Sequence, residues 1–195
     1  MNYELFVSLH QIIDNMLELK DATLALDGRK LFSRLSLMAQ DGQLTCITGP
    51  SGAGKTALIE VLLGLRLLDE GLVSIDGELL TPLSAPTFRR LIAYVPQKRP
   101  VTISQSEADT EGLETVWSPY NSCRYRLTAI DEHLDVAPMA SKPIIIVDDP
   151  DAATFSLLPP LAAKGHTVVV ASCREDVVNS SDVIITLGND NHLVS

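Results

Sequence analysis

The sequence predicts an α/β fold with a mainly parallel central sheet and an antiparallel β portion near the N-terminus. Two uninterrupted β-branched runs, at 144–147 and 167–170, suit parallel strands that are covered on both faces. A short apolar stretch at 44–48 leads into a glycine-rich loop, as a strand does before a helix in such a sheet. Asp-Gly pairs at 27–28 and 76–77 are hairpin turn signals, which predict the antiparallel portion.

Length and composition indicate one soluble domain that covers residues 1–195. Hydrophobic residues make up 46% and charged residues 21% of the chain, which is ordinary for a folded protein with a substantial core. The net charge of −10 argues against a nucleic-acid surface, because phosphate contacts need a basic patch. We therefore expect no nucleic-acid partner.

The sequence also lacks the signals of membrane insertion and secretion. No apolar stretch approaches the roughly 20 residues of a membrane span, and residues 1–5 carry no basic leader. The three cysteines, Cys46, Cys123 and Cys173, are widely spaced and odd in number, as expected of reduced thiols in a cytosol. These features predict a cytoplasmic protein that does not itself insert into a membrane.

The N-terminal half reads as a helix followed by two hairpins and a loop–helix unit. Residues 1–16 carry apolar side chains at helical spacing, which predicts an N-terminal helix. The elements expected next are strands at 17–26, 31–38 and 44–48, a helix at 57–63 and a hairpin at 69–78. A loop at 82–86 then precedes a short helix at 88–91, and the strand 92–95 ends at Pro96.

The C-terminal half begins with the stretch 101–136, which has seven acidic residues and two arginines. Its weak periodicity predicts short helices and loops, either as a solvated acidic face or as a docking surface for a basic partner. The run 143–150 ends in paired carboxylates and predicts a central strand. The elements expected after it are a helix at 152–163, broken at the proline pair 159–160, and strands at 167–171 and 183–187.

The glycine-rich loop fits the phosphate-binding pattern G-x-x-x-x-G-K-[ST] without a mismatch. Its residues are Gly49, Pro50, Ser51, Gly52, Ala53, Gly54, Lys55 and Thr56. Glycines let successive backbone N–H groups point at a phosphate, and the helix that begins at Thr56 adds the positive end of its dipole. Lys55 would bridge the β- and γ-phosphates, and the Thr56 hydroxyl would hold Mg²⁺. The loop therefore predicts a site for a phosphorylated nucleotide.

The order of landmarks resembles the nucleotide-binding domain of ABC-type ATPases over about residues 17–100 and 140–188. Four segments carry the resemblance: the loop 49–56, the hairpin Gly71-Leu72-Val73-Ser74-Ile75-Asp76-Gly77, Tyr94-Val95-Pro96-Gln97, and Ile144-Ile145-Ile146-Val147-Asp148-Asp149-Pro150. The hairpin separates this family from P-loop kinases and small GTPases. The resemblance implies a P-loop NTPase fold with a reduced helical subdomain, and ATP and Mg²⁺ as ligands.

The resemblance also assigns roles to individual residues. Asp148 would hold Mg²⁺ through water, together with Thr56, and Gln97 would reach both the metal and the attacking water. Asp149 would be the general base, and Lys55 would act on the phosphates. An acid at the carboxyl end of a strand that neighbours the P-loop strand would point at the crevice where open α/β sheets bind ligands.

Several positions depart from the family pattern. Asp149 stands where the family has a glutamate, and the shorter side chain predicts slow hydrolysis, because a misplacement of ~1 Å can cost ~10²-fold in rate. Cys173 replaces the switch histidine, and His166 opens the same strand at its far end. Leu26 replaces the aromatic side chain that stacks on adenine, and the Leu-Ser-Gly-Gly-Gln signature is missing, with 124–128 in its place.

These features lead to two main hypotheses. The first is the ATP-binding subunit of an ABC-type transporter with weak hydrolysis; the second is a degenerate nucleotide sensor or structural subunit without turnover. A small-molecule kinase is weaker, because residues 101–136 are acidic where a kinase has an arginine-rich lid. Expected partners are a second ABC-type subunit that supplies a signature motif and a membrane permease, which would place the chain at the inner face of the membrane.

Overall fold

The computed structural model describes residues 16–97, 113–117, 124–128 and 139–188. Residues 1–15 of the predicted N-terminal helix and most of the stretch 101–136 lie outside the described residues. The described strands and helices are β1 Leu17–Leu26, β2 Arg29–Ala39, β3 Leu44–Thr48, α1 Lys55–Leu62, β4 Glu70–Ile75, β5 Glu78–Leu79, α2 Ala85–Leu91, β6 Ile92–Val95, β7 Leu113–Trp117, β8 Arg124–Thr128, β9 Ile144–Asp148, α3 Ala152–Ala162, β10 Thr167–Ala171, α4 Glu175–Asn179 and β11 Val183–Thr186.

A five-stranded parallel sheet with the order β11-β3-β10-β9-β6 forms the centre of the fold. Every residue of β9 and β10 is buried, as expected for β-branched strands covered on both faces. Because all five strands run the same way, their carboxyl ends meet at one edge of the sheet. The predicted α/β fold with a mainly parallel central sheet is confirmed.

The strand order corrects one detail of the sequence-based expectation. β10 lies between β3 and β9, so the strand that ends at Asp148 is not a neighbour of the strand that enters the loop. The sequence could not show this, because a right-handed crossover can place the next parallel strand beyond a gap that a later strand fills. The carboxyl ends of β3 and β9 nevertheless face the same crevice.

The predicted antiparallel portion is a second sheet with the order β2-β1-β4-β5. Its two hairpin turns are built alike. Asp27 and Asp76 have φ values of 50° and 54°, and the glycines that follow them have φ values of 77° and 78°. Two successive residues with positive φ are what the two-residue turn of a twisted hairpin requires, which is why Asp-Gly predicts it.

Helix α1 joins the two sheets in one core. Leu58 and Leu62 of α1 belong to a buried cluster that also contains Phe32 from the antiparallel sheet and Ile146 from the parallel sheet. The opposite face of the parallel sheet packs on α3, in a second cluster around Leu158. Among the described residues, no helix has both the length and the apolar character that a membrane crossing demands.

Helix α3 is continuous, although the sequence predicts a break at its proline pair. Pro159 and Pro160 lie inside Ala152–Ala162 and are exposed, whereas Leu158 and Leu161 beside them are buried against the sheet. Each proline removes a backbone N–H from the helix. Burial of the neighbouring leucines holds the last turn in place, so the predicted break was wrong.

Two further expectations differ from the structure. Strands β7 and β8 pair antiparallel, with Leu113 opposite Thr128, where short helices and loops were expected. Helix α2 begins at Ala85 rather than at 88, because Pro86 occupies the first helical turn. Backbone N–H groups in the first turn of a helix make no hydrogen bond within it, so proline is tolerated at this position.

Candidate functional site

The loop between β3 and α1 has the backbone of a phosphate cradle. Gly49, Gly52 and Gly54 have φ values of 143°, 77° and 98°, a region that other residues rarely adopt. A Cβ atom at Gly49 would lie 2.2 Å from the carbonyl oxygen of Leu187, so the close approach of the chain after β11 also demands glycine there. The loop ends at the start of α1, whose N-terminal N–H groups complete the cradle.

Lys55 lies across this cradle. Its Nζ donates hydrogen bonds to the carbonyl oxygens of Gly49, at 2.8 Å, and Pro50, at 3.1 Å. Within the loop, the backbone N–H of Ala53 donates a hydrogen bond of 3.1 Å to the carbonyl oxygen of Pro50 and closes the turn. The ammonium group is therefore held at the centre of the loop, where a phosphate group would meet it.

Thr56 and Asp148 meet at the crevice although 92 residues separate them. The Thr56 hydroxyl donates a hydrogen bond of 2.9 Å to Oδ2 of Asp148. Asp148 is only 4% exposed, and this burial raises the pKa of its carboxyl group, with the charge of Asp149 adding to the effect. The Thr56 hydrogen bond and the Lys55 charge lower the pKa in part. A cation would favour the ionised carboxylate.

Asp149 and Gln97 lie at the outer side of the same crevice. The side-chain amide of Gln97 donates a hydrogen bond of 2.9 Å to Oδ2 of Asp149. Asp149 is exposed and has a φ of 47°, which is unusual for a residue other than glycine. Its N–H donates to the carbonyl oxygen of Ala171, at the end of β10.

These side chains line one open cleft of about 360 Å³. Leu26 from the first hairpin, Leu31 from β2 and Cys173 after β10 also line it. His166 lies at the opposite end of β10, where its Nδ1 is 2.9 Å from the carbonyl oxygen of Lys142. The structure thus leaves His166 apart from the cleft. Most of the other candidate residues predicted from the sequence lie together along it: Leu26, Ser51, Gly52, Gly54, Lys55, Thr56, Gln97, Asp148, Asp149 and Cys173.

Two residues that the sequence analysis did not single out contribute to this region. Leu31 packs against Gly54, where a Cβ would lie 3.2 Å from the Leu31 Cβ. Arg174 donates from Nη1 to the carbonyl oxygen of Pro150, at 3.0 Å, and so contacts the chain just after the paired carboxylates. The only sequence signal for Arg174 was its position next to Cys173. Nothing in the sequence indicated its contact with Pro150.

The parallel sheet and the cradle define the class of protein as a P-loop α/β nucleotide-binding fold. The profile of the ABC transporter family matches residues 32–152, more than half of the chain. The chain therefore belongs to the ABC transporter family, as the sequence resemblance implied.

Individual relatives are similar over shorter stretches. The Fe(3+) ions import ATP-binding protein FbpC 2 of Pectobacterium atrosepticum is 37% identical over 84 residues, which are 42% of this chain and 24% of that protein. The intermembrane phospholipid transport system ATP-binding protein MlaF of Escherichia coli K12 is 32% identical over 100 residues, 51% of this chain and 35% of that protein. The chain thus matches only about a quarter to a third of the length of these relatives.

A solved structure described as the ATP-binding subunit of an ABC transporter has the same fold. It superposes with a TM-score of 0.63 and 21% identity, over 89% of this chain and 86% of that chain. At this level of identity, the likeness concerns the fold alone.

Proposed function

We propose that this chain binds ATP with Mg²⁺ in the cleft above the 49–56 loop, as the ATP-binding subunit of an ABC-type transporter. One observation carries the proposal: the hydrogen bond from Thr56 to the buried Asp148, beside the Lys55 ammonium group, in a single cleft. A hydroxyl and a carboxylate that converge next to a lysine provide for a metal and for phosphates together.

The residues present fit Mg²⁺ well. Mg²⁺ prefers oxygen ligands and is usually held by one or two carboxylates plus phosphate oxygens and water. Thr56 and Asp148 would hold it, and Gln97 would approach it from the outer side. The bound ion would supply neutralisation of charge on the β- and γ-phosphates. The raised pKa of Asp148 agrees with this role, because a buried carboxylate gains most from a neighbouring cation.

Hydrolysis would be weak. Asp149 is the candidate general base, and Gln97 holds its carboxylate through the amide hydrogen bond. The aspartate is one methylene shorter than the glutamate of the family, and Cys173 supplies a thiol where the family has an imidazole. Binding and charge neutralisation by the loop and the metal would still provide part of the rate acceleration.

A second ABC-type subunit and a membrane permease are the partners that we propose. The relatives are named as transport ATP-binding proteins, and residues 124–128 form strand β8 where the family has its signature motif. A partner with an intact signature would complete a nucleotide sandwich on this chain's loop. A permease would place the pair at the inner face of the membrane.

An alternative function is nucleotide sensing or a structural role without turnover. The Gln97–Asp149 hydrogen bond favours it, because a carboxylate oxygen that already accepts a hydrogen bond from an amide is less available to a water molecule. ATP binding would then order the surface of the cleft without hydrolysis.

The binding proposal is tested by thermal unfolding with and without millimolar Mg²⁺·ATP. We expect wild type to be stabilised by several degrees, because a ligand at 100 times its Kd adds about 2.7 kcal/mol. Lys55→Ala should lose this response. Lys164→Ala, which removes an exposed lysine at the opposite end of β10, should keep it. No stabilisation of wild type, or an equal response in Lys55→Ala, would contradict the proposal.

Turnover distinguishes the two functions. Phosphate release should be slow in wild type and at least about tenfold slower in Asp149→Asn, because the amide cannot accept a proton. The double variant Asp149→Glu with Cys173→His should release phosphate faster than wild type. Equal rates in wild type and Asp149→Asn would favour the sensor.

A further inference from the structure

The chain segment Asp149–Asp151 leaves β9 in a conformation that needs support. Asp149 has a φ of 47° and precedes Pro150, and a residue before proline normally takes an extended conformation. Strained backbone of this kind persists only where neighbouring contacts hold it. The contacts of this segment therefore determine where the Asp149 carboxylate lies.

Three contacts hold the segment from different sides. The Asp149 N–H bonds to the Ala171 carbonyl oxygen at 2.8 Å. The Asp151 carboxylate accepts a hydrogen bond of 2.7 Å from the Thr154 N–H and caps α3. Between these anchors, the carbonyl oxygen of Pro150 accepts from Nη1 of Arg174 at 3.0 Å.

Arg174 is itself held in one orientation. Its Nε donates to the Asp176 carboxylate at 3.1 Å, and its Nη2 donates to the other oxygen of the same group. The backbone N–H of Arg174 donates to the hydroxyl of the buried residue Ser172. A guanidinium group is planar, so the two bonds to Asp176 fix the direction of the third nitrogen, Nη1. That nitrogen points at Pro150.

We infer that Arg174 is a positioning residue that sets the place of the Asp149 carboxylate through the Pro150 carbonyl oxygen. Arg174 does not line the nucleotide cleft, so it acts on the backbone and not on the nucleotide. A lysine could donate one bond to Pro150, but it could not form the two bonds to Asp176 that direct it. The inference rests on the proposed role of Asp149 in hydrolysis.

Arg174→Ala in the full chain tests this inference with two readouts. The first is ATP hydrolysis: kcat should fall at least about tenfold while the KM for ATP stays within about twofold, because the cradle is untouched. The second is hydrogen exchange of the Asp149 amide, which should become faster as its bond to Ala171 opens more often. Arg174→Lys should have a kcat and an Asp149 exchange rate between those of Arg174→Ala and wild type. Asp176→Ala should lower kcat and speed exchange to a smaller extent than Arg174→Ala.

The outcomes separate this inference from the proposed function. If Asp149 amide exchange is unchanged in Arg174→Ala and Arg174→Lys, the inference is overturned, whether or not the chain hydrolyses ATP. A kcat that stays constant while exchange accelerates also overturns it. If wild type shows no turnover, the hydrolysis proposal fails, and the exchange rates still decide whether Arg174 holds Asp149. If Arg174→Ala does not fold, Arg174→Lys and Asp176→Ala provide both comparisons.

Discussion

At the residue scale, the buried carboxyl group of Asp148 makes stability depend on pH. Its pKa in the folded chain is raised above the ordinary value by burial, so the folded state binds a proton more tightly than the unfolded state. This contribution to stability is present in full below the ordinary value, about 4, and is lost as the pH rises through the raised value. At neutral pH, ionised Asp148 therefore destabilises the fold.

Asp148→Asn should accordingly unfold at a higher temperature than wild type at pH 7. The amide oxygen can still accept the Thr56 hydrogen bond, and no charge is buried. Thermal melts between pH 4 and 8 check this: the advantage of the variant should shrink as the pH falls toward 4. A constant difference across that range would show that the charge of Asp148 is not its cause.

The accessible thiol of Cys173 reports on the cleft. Cys173 is exposed and lines the cleft, whereas Cys46 is fully buried and burial raises its pKa. Mg²⁺·ATP should slow alkylation of Cys173 severalfold, because the nucleotide covers it. The measurement is the rate of labelling by a small maleimide in a Cys123→Ser background, with Lys55→Ala as the variant that should show no protection. Equal rates with and without ATP would place the nucleotide elsewhere.

At the element scale, helix α3 keeps two prolines at a measurable cost. Pro159 and Pro160 leave the carbonyl groups of residues 155 and 156 without helical N–H partners. Replacing both by alanine should stabilise the fold by about 2 kcal/mol or more. The reason is that the gain in helix stability exceeds the gain in conformational entropy of the unfolded chain. Urea unfolding measures the change. Pro86→Ala is the matched control, and it should have little effect because Pro86 lies in the first turn of α2.

The sequence predicted elements best where a local rule decides the outcome. Asp27-Gly28 and Asp76-Gly77 fix their own turns, and the apolar runs of β9 and β10 can only be buried strands. It failed where packing overrides the local rule, as in α3, in which buried Leu158 and Leu161 hold a helix that the prolines alone would break. The pairing of β7 with β8 also had little local signal, because β7 does not alternate and the alternation of β8 extends over only five residues.

The candidate site divides in the same way. The 49–56 loop is contiguous in sequence, and its spacing alone predicts its chemistry. The meeting of Thr56 with Asp148 depends on strand order, which the sequence does not encode locally: the Asp148 strand was expected beside β3, but β10 lies between them. The contact of Arg174 with Pro150 spans two loops, so no motif could predict it.

At the scale of the whole molecule, two sheets and one helix bring distant segments to one crevice. The antiparallel sheet contributes Leu26 and Leu31, the loop contributes Lys55, and the ends of β9 and β10 contribute Asp148 and Cys173. Since α1 packs on both sheets, the loop at its start is held between them. The crevice is therefore a property of the assembled fold, and one nucleotide in it would contact both sheets and the start of α1.

A calorimetric titration of the full chain with ATP tests the central claim most directly. The account predicts one ATP per chain, with binding that weakens at least about tenfold, or 1.4 kcal/mol, when Mg²⁺ is withheld. Thr56→Ala should lose most of this dependence on Mg²⁺, because the Thr56 hydroxyl and the Asp148 carboxylate would both hold the metal. Absence of heat at millimolar ATP, or an affinity that is indifferent to Mg²⁺ in wild type, would contradict the account.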